Sequence, residues 1–405
     1  MYRLLLFCAL PWLAAAAPPG IDTDAAREVG MDPAKLEAIG ARMAEFADEP
    51  SAAGYVTLVS RRGRLVWLDA AGLRDVDSGA AMTEDAIFQI ASMTKPITAT
   101  AVMMLAEEGR LSTADLVETY LPEFRGQRMV LSRDGDEVTM GPPTRKITLR
   151  DLLTHTSGMG GGFPTALQEI FRTRDRTLAE AVAVYSQQPL EFPPGTEWRY
   201  SNMGIATLGR IVEVVSGMPF EDFLAQRIFG PLGMKDTFFF PPEAKHGRIA
   251  PIHRVADGEL ENTGSDIYRR GARYPAPEGG LYSTARDLVR FYQMFLNGGE
   301  LDGARIVSSS TVEVMTRNHT GEIEAGFAPG MGFGYGWTVV RNVDGVFRGN
   351  SIGTYGHGGA YRTYAFVDPE KELIGVILFQ KEGGGGDLAQ EISAFIQMAN
   401  AAVLD

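Results

Sequence analysis

At 405 residues and 45% hydrophobic content, the chain is long enough to bury a sizeable core in one large domain or two coupled ones. A formal net charge of -13 leaves no electrostatic footprint for nucleic acid or an anionic membrane surface, and so excludes those partner classes. Five histidines are scattered at 155, 246, 253, 319 and 357 with neither HExxH spacing nor a cysteine pair, so no metal and no cofactor is expected.

Residues 1–17 read as an export signal. Arg3 supplies a positive start, Leu4 to Leu13 an apolar core, and Ala14 to Ala17 small residues suited to cleavage before Pro18. The apolar run is too short to span a bilayer, which needs about 20 residues, and no later stretch qualifies. The only cysteine, Cys8, falls inside this segment, so the mature chain has no disulfide. A periplasmic or secreted protein is expected.

Asp32-Pro33 predicts a helix start, with Leu36, Ile39, Met43 and Phe46 at helical spacing before Pro50. Tyr55 to Ser60 and Arg64 to Asp69 are β-rich runs around Arg61-Arg62-Gly63, which predicts a hairpin. Ile90-Ala91-Ser92-Met93-Thr94-Lys95-Pro96 then leads into an apolar-periodic run ending at Gly109. From Leu111 to Gly279 the signals become short helices broken by Gly and Pro, among them Leu178 to Tyr185, Gly204 to Val215 and Phe220 to Ile228. Gln127 to Lys146 reads as a polar surface excursion. Thr148 with Asp151, and Thr284 with Asp287, have the spacing of capping boxes. Gly334 to Arg341 reads as one strand; Tyr361 to Val367 and Glu372 to Phe379 flank a turn at Asp368 to Lys371 and predict a hairpin. Leu388, Ile392, Phe395 and Ala399 mark a closing helix. Strands at both ends with helices between predict an α/β (α+β) protein. Its antiparallel sheet, flanked by helices, is built from residues 18–110 and 280–405, with a mainly helical domain, 111–279, inserted.

Three short stretches carry chemistry. Ser92 and Lys95 lie three apart, so a helix start would set a hydroxyl beside an amine, where free backbone N–H groups stabilise a negative oxygen. A serine nucleophile needs both a base and such donors. The bland alternative is a capping serine beside a solvated lysine. Tyr200-Ser201-Asn202 follows the turn Pro193-Pro194-Gly195, on a loop. An ordinary tyrosine has a pKa of about 10, so using it as a base at pH 7 costs about 4 kcal/mol unless an ammonium such as that of Lys95 offsets it. Gly356-His357-Gly358-Gly359-Ala360 opens the last hairpin, and its glycines suit close approach of a ligand to backbone.

Taken together and in this order, the three stretches resemble the motifs of the serine β-lactamase and penicillin-binding-protein superfamily. The similarity is to its class C-like branch, which holds family VIII esterases, DD-peptidases and LACTB-like serine hydrolases and uses Tyr-x-Asn as second motif. Thr154-His155-Thr156-Ser157-Gly158, Pro194-Gly195-Thr196, Pro231-Leu232-Gly233-Met234 and Gly279-Gly280-Leu281 agree with it. The resemblance implies a β-lactamase-like fold and a small-molecule acyl substrate. It implies that Ser92 is acylated, that Lys95 and Tyr200 share the base work, and that Asn202 bonds the acyl side. The backbone N–H groups of Ser92 and Ala360 would form the oxyanion hole, with His357, Gly358 and Gly359 lining the substrate. Which of Lys95 and Tyr200 accepts the proton stays open.

One departure bears on substrate. Penicillin-active members of the superfamily it resembles usually carry Lys-Thr-Gly where this chain has His357-Gly358-Gly359. An ordinary histidine is only about a quarter charged at pH 7, and the hydroxyl is absent. Losing a charged hydrogen bond of about 1.5–3 kcal/mol disfavours carboxylate-bearing substrates roughly ten- to a hundredfold. Arg362 is the residue that could restore the charge. A carboxylesterase on small uncharged acyl esters is therefore expected, ahead of a β-lactamase or D-Ala-D-Ala carboxypeptidase/transpeptidase, and ahead of a sensor that is acylated without turnover. A Ser-His-Asp hydrolase would want Gly-x-Ser-x-Gly directly after a strand, a placement that none of the predicted strands provides, and His155 has no identifiable partner. That class is therefore rejected, and His155 is expected to be a structural histidine in a tight turn.

Overall fold

The computed structural model describes residues 20–48, 52–161, 167–263, 271–342, 349–383 and 389–405. The expected export segment and Leu388 lie outside them.

Asp32 starts helix α1 (Pro33–Asp48) by accepting from the Ala34 N–H at 3.0 Å. Its stripe of Leu36, Ile39, Met43 and Phe46 is buried, as the spacing predicts. Strands β1 (Gly54–Arg61) and β2 (Arg64–Asp75) form the first hairpin, with Arg61 opposite Arg64. Helices α2 (Thr94–Glu107), α3 (Leu178–Tyr185), α4 (Asn202–Ser216) and α5 (Ala285–Leu296) follow. The chain then returns to sheet with β3 (Met331–Phe333), β4 (Thr338–Val340), β5 (Tyr355–Gly359), β6 (Thr363–Asp368) and β7 (Leu373–Leu378). It closes on α6 (Gln390–Ala401).

The spatial order is β2-β1-β7-β6-β5-β4-β3, with every neighbouring pair antiparallel. The first hairpin, edged by the short strands Gly20–Ile21 and Ala80–Ala81, thus completes a sheet whose other strands come from the end of the chain. Side chains alternate between two cores. Tyr55, Val59, Tyr364, Phe366 and Ile377 face α1 and α6, while Val56, Leu58, Ala365, Val367 and Val376 face the core shared with α2 and α5. With both faces covered, β1, β6 and β7 are buried along their length, and a one-residue slip in register would exchange the two cores.

The structure departs from the sequence reading in three places. Residues 127–146 are not merely an excursion but hold a hairpin of Met129–Asp134 and Glu137–Gly141. Leu131, Val138 and Met140 stay exposed on it, and without a buried face the sequence shows no clean alternation. Gly334 to Arg341 is not one strand: Gly336, at φ +77°, turns the chain, and the Gly334 N–H meets the Trp337 carbonyl at 2.8 Å between β3 and β4. The Thr148–Asp151 pair closes both halves of its capping box. Thr284 caps α5, but the Asp287 carboxylate turns away to the Asp236 N–H at 2.7 Å and the Thr237 hydroxyl at 2.8 Å, which ties α5 to a loop instead.

Candidate active site

Ala91 to Met93 form a single 3-10 turn before α2, so Ser92 stands at the mouth of the helix rather than within it. Ala91 holds φ +45°, a left-handed conformation that costs a non-glycine residue energy and persists only where the surroundings enforce it. They do so here. The Ile90 N–H bonds the Leu281 carbonyl at 3.0 Å, the Thr94 hydroxyl bonds the Ala91 carbonyl at 2.7 Å, and the Leu281 N–H bonds Thr94 Oγ1 at 3.2 Å. The Gly279-Gly280-Leu281 stretch is therefore a brace for this turn.

Lys95 is wholly buried, and its Nζ lies 3.0 Å from Ser92 Oγ, 2.9 Å from Asn202 Oδ1 and 2.6 Å from the Glu278 carbonyl oxygen. Burial pulls its pKa down from 10.5 to about 7, against the upward pull of Glu278. About half of the amines are then neutral at neutral pH. A neutral amine has two N–H bonds and one lone pair. Both oxygens at Asn202 and Glu278 can only accept, so they take the two N–H bonds and leave the lone pair for the Ser92 hydroxyl. The arrangement can take a proton from Ser92.

Glu278 is itself buried. Its carboxylate accepts from the Tyr274 hydroxyl at 3.0 and 3.1 Å, within a buried group that also holds Tyr185 and Arg174. Thr98 donates to the Pro277 carbonyl at 2.7 Å, fastening the same turn to α2.

Ser201 is the N-cap of α4, accepting from the Gly204 N–H at 3.1 Å, which sets Asn202 at the helix start with its amide on Lys95. The Tyr200 ring lies 4.5 Å from Lys95 Nζ. His155, buried at φ +59°, accepts the Ser201 N–H on Nδ1 at 3.0 Å, and its ring centroid is 4.6 Å from that of Tyr200. Burial, then Lys95 and His357, hold it well below the usual histidine range, so it stays neutral and fixes the loop that carries Tyr200 and Asn202.

His357 lies on β5, 1% exposed, with its ring centroid 6.0 Å from that of Tyr200. Its Nδ1 donates to the Gly358 carbonyl at 2.7 Å, which leaves Nε2 as a bare lone pair. Burial, then the nearby Lys95, push its pKa down to about 3. The expectation of a quarter-charged histidine is thus corrected: His357 is neutral at pH 7. Arg362 does not supply the missing charge either. It pairs with Glu391 on α6 and donates to the Gly383 carbonyl at 3.3 Å, because φ +60° at the hairpin tip swings it there.

Gly359 brings β5 against the serine turn. A Cβ on it would stand 2.2 Å from Thr363 Oγ1 and 2.4 Å from the Ile90 carbonyl oxygen, and Ala360 follows it at the exposed rim. Gly359→Ala is expected to push the strand from the turn, lowering stability by about 1–3 kcal/mol in a thermal melt and turnover at least tenfold in a rate assay.

The structure thus brings Ser92, Lys95, Tyr200, Asn202 and His357 together, from the serine turn, α2, the α4 loop and β5, with Gly358 and Gly359 beside them. The Glu278 carbonyl acceptor had no sequence signal, since any residue carries that group. Trp198 and Phe327, which pack around Tyr200, also went unread because aromatic residues are ordinary core components.

Comparison with known proteins fits this architecture. A solved structure described as EstCE1, a hydrolase with promiscuous acyltransferase activity, superposes with a TM-score of 0.76. The match covers 92% of this chain and 99% of that one at 23% identity, a likeness of fold. The chain belongs to the beta-lactamase family, whose sequence model, described as Beta-lactamase, matches residues 39–395. Esterase EstB of Burkholderia gladioli is 30% identical over 365 residues, covering 83% of this chain and 88% of that protein. Penicillin-binding protein 4 of Amycolatopsis lactamdurans is 32% identical over 315 residues, 76% of each chain. This is a family of serine hydrolases in which esterases and penicillin-binding proteins stand side by side.

Proposed function

We propose that the chain is an exported serine hydrolase that works through an acyl-enzyme, as a carboxylesterase on small uncharged acyl esters. The observation that carries the reading is the Lys95 amine, buried to a pKa of about 7 and 3.0 Å from the Ser92 hydroxyl. Ser92 Oγ attacks the acyl carbon as its proton passes to Lys95 Nζ, with Tyr200 beside the amine completing the relay to the leaving oxygen. The backbone N–H groups of Ser92 and Ala360 receive the oxyanion, and Asn202 holds the acyl side. Water then repeats the sequence on the acyl-enzyme. His357, Gly358 and Gly359 form the β5 wall of the site. We take 111–279 to be a helical domain set between the two α/β parts, and 1–17 to be removed on export.

The preference for uncharged esters is supported by His357 and Arg362. One is neutral at pH 7 and the other is neutralised by Glu391, so no fixed cation answers a substrate carboxylate from this strand. Similarity to an esterase supports the same side, while similarity to a penicillin-binding protein names the competitor. Purified protein assayed against short p-nitrophenyl esters, nitrocefin and a D-Ala-D-Ala peptide separates them. Ester turnover is expected to exceed nitrocefin and peptide turnover at least tenfold. Faster nitrocefin cleavage would make the chain a β-lactamase, and a burst ending in a stable adduct would make it an acylated sensor.

A further inference from the structure

Eight large apolar side chains are strongly exposed among the described residues, and Phe327 is the aromatic one, at 45%. It does not lie on a loose loop. Ala325 just before it is 3% exposed, and the Met331 N–H closes a turn on the Ala328 carbonyl just after it. Its ring stands edge-on to Tyr200, with centroids 5.0 Å apart at 65°, and to Trp198, at 5.6 Å and 82°. Phe333 backs Trp198 at 5.7 Å, and His155 backs Tyr200 at 4.6 Å. Exposed aromatic surface held in one place beside a reacting group is surface ready to be covered by a ligand.

Which part of a substrate lies there follows from the proton. The proton taken from Ser92 must reach the leaving oxygen, so that oxygen comes to the Lys95–Tyr200 side. The group attached to it then extends past the Tyr200 ring towards Phe327 and Trp198. Arg199, next to Trp198, is tied to Glu191 and offers no free cation to an acidic leaving group. We propose that Tyr200, Trp198 and Phe327 form a leaving-group subsite that takes an aromatic or bulky apolar alcohol. This rests on the acyl-enzyme reading above and specifies its substrate.

The test compares benzyl acetate, methyl acetate and methyl phenylacetate, whose alcohols differ little in basicity, so that chemical leaving ability does not decide the outcome. For the full protein, kcat/KM is expected to favour benzyl acetate over methyl acetate by at least tenfold. Phe327→Ala, with an unchanged melting temperature, is expected to collapse that ratio to within about threefold of unity, and Phe327→Trp to restore it. If Phe327→Ala instead lowers methyl phenylacetate relative to methyl acetate and spares the benzyl ratio, the ring serves the acyl side and the proposal is overturned. Equal effects on all three esters overturn it as well. Mass spectrometry of quenched reactions distinguishes the deeper failure: with no acetyl group on Ser92 from either acetate, the acyl-enzyme reading falls and the subsite with it.

Discussion

Ser92→Ala is expected to abolish ester turnover, by about 10⁴-fold or more, and to leave no acyl adduct on the intact protein by mass spectrometry. The magnitude follows from the chemistry. Without Oγ there is no covalent route, and only whatever the oxyanion donors and Asn202 do for attack by water remains. The fold should survive. Ser92 does not cap its own turn, which Ile90, Thr94 and Leu281 hold, and Lys95 keeps its bonds to Asn202 and the Glu278 carbonyl. A melting temperature within a few degrees of the parent, together with lost turnover, is the expected pair of results. Turnover retained in this variant would remove Ser92 from the mechanism.

Lys95→Met is expected to cost about 10²–10⁴-fold, the usual worth of a general base, and the pH profile of the parent tests the same group without mutation. Burial lowers Lys95 to about 7, so the base form fills as pH rises through that value. The ester kcat/KM should climb from pH 5, reach half its plateau near pH 7 and level above about 8. The sign of a second shift is also determined. Glu278 raises the Lys95 pKa, so Glu278→Gln should move this limb to lower pH, while Glu278→Asp should leave it near the parent position. The backbone carbonyl that accepts from Lys95 is untouched by either change, and the Gln amide oxygen can still accept from Tyr274. The two histidines close to Lys95, His155 and His357, are both shifted below the usual histidine range and stay neutral, so they do not blur the limb, while burial raises the pKa of Glu278 itself. Stability carries the same signature. Between about pH 7 and 10.5 the unfolded chain binds the Lys95 proton and the folded chain does not, so stability rises with pH across that window. Lys95→Met should flatten the rise. A limb that stays at the parent pH in Glu278→Gln would show that the Glu278 charge does not govern the base.

The second prediction depends on features that the linear chain shows unequally. Spacing alone was enough to draw attention to Ser92 and Lys95, because three residues at a helix start bring two side chains to one side whatever surrounds them. The same holds for the first and last hairpins, for α1 and for the Thr148 capping box, each of which depends on neighbours within a few residues. Local patterns fail where a partner comes from far away. Asp287 has the spacing of a capping-box acid, yet a loop fifty residues earlier claims its carboxylate. Gly334 to Arg341 is apolar enough for one strand, yet it folds back at Gly336 to form two.

What the sequence determined by itself, then, is the chemistry on offer: a hydroxyl and an amine three apart, a Tyr-x-Asn loop, and a glycine-rich strand that carries a histidine. Those identities are covalent and need no fold to be read. The tertiary structure alone decided how that chemistry is tuned, because protonation depends on burial and on charges brought in from distant segments. Packing α2 against the Glu278 turn makes Lys95 a group that is half neutral at pH 7 rather than a solvated ammonium. Burying β5 keeps His357 neutral, and Arg362 at the hairpin tip is paired with Glu391. It also stands Phe327 against Tyr200, from a segment more than a hundred residues away in the chain.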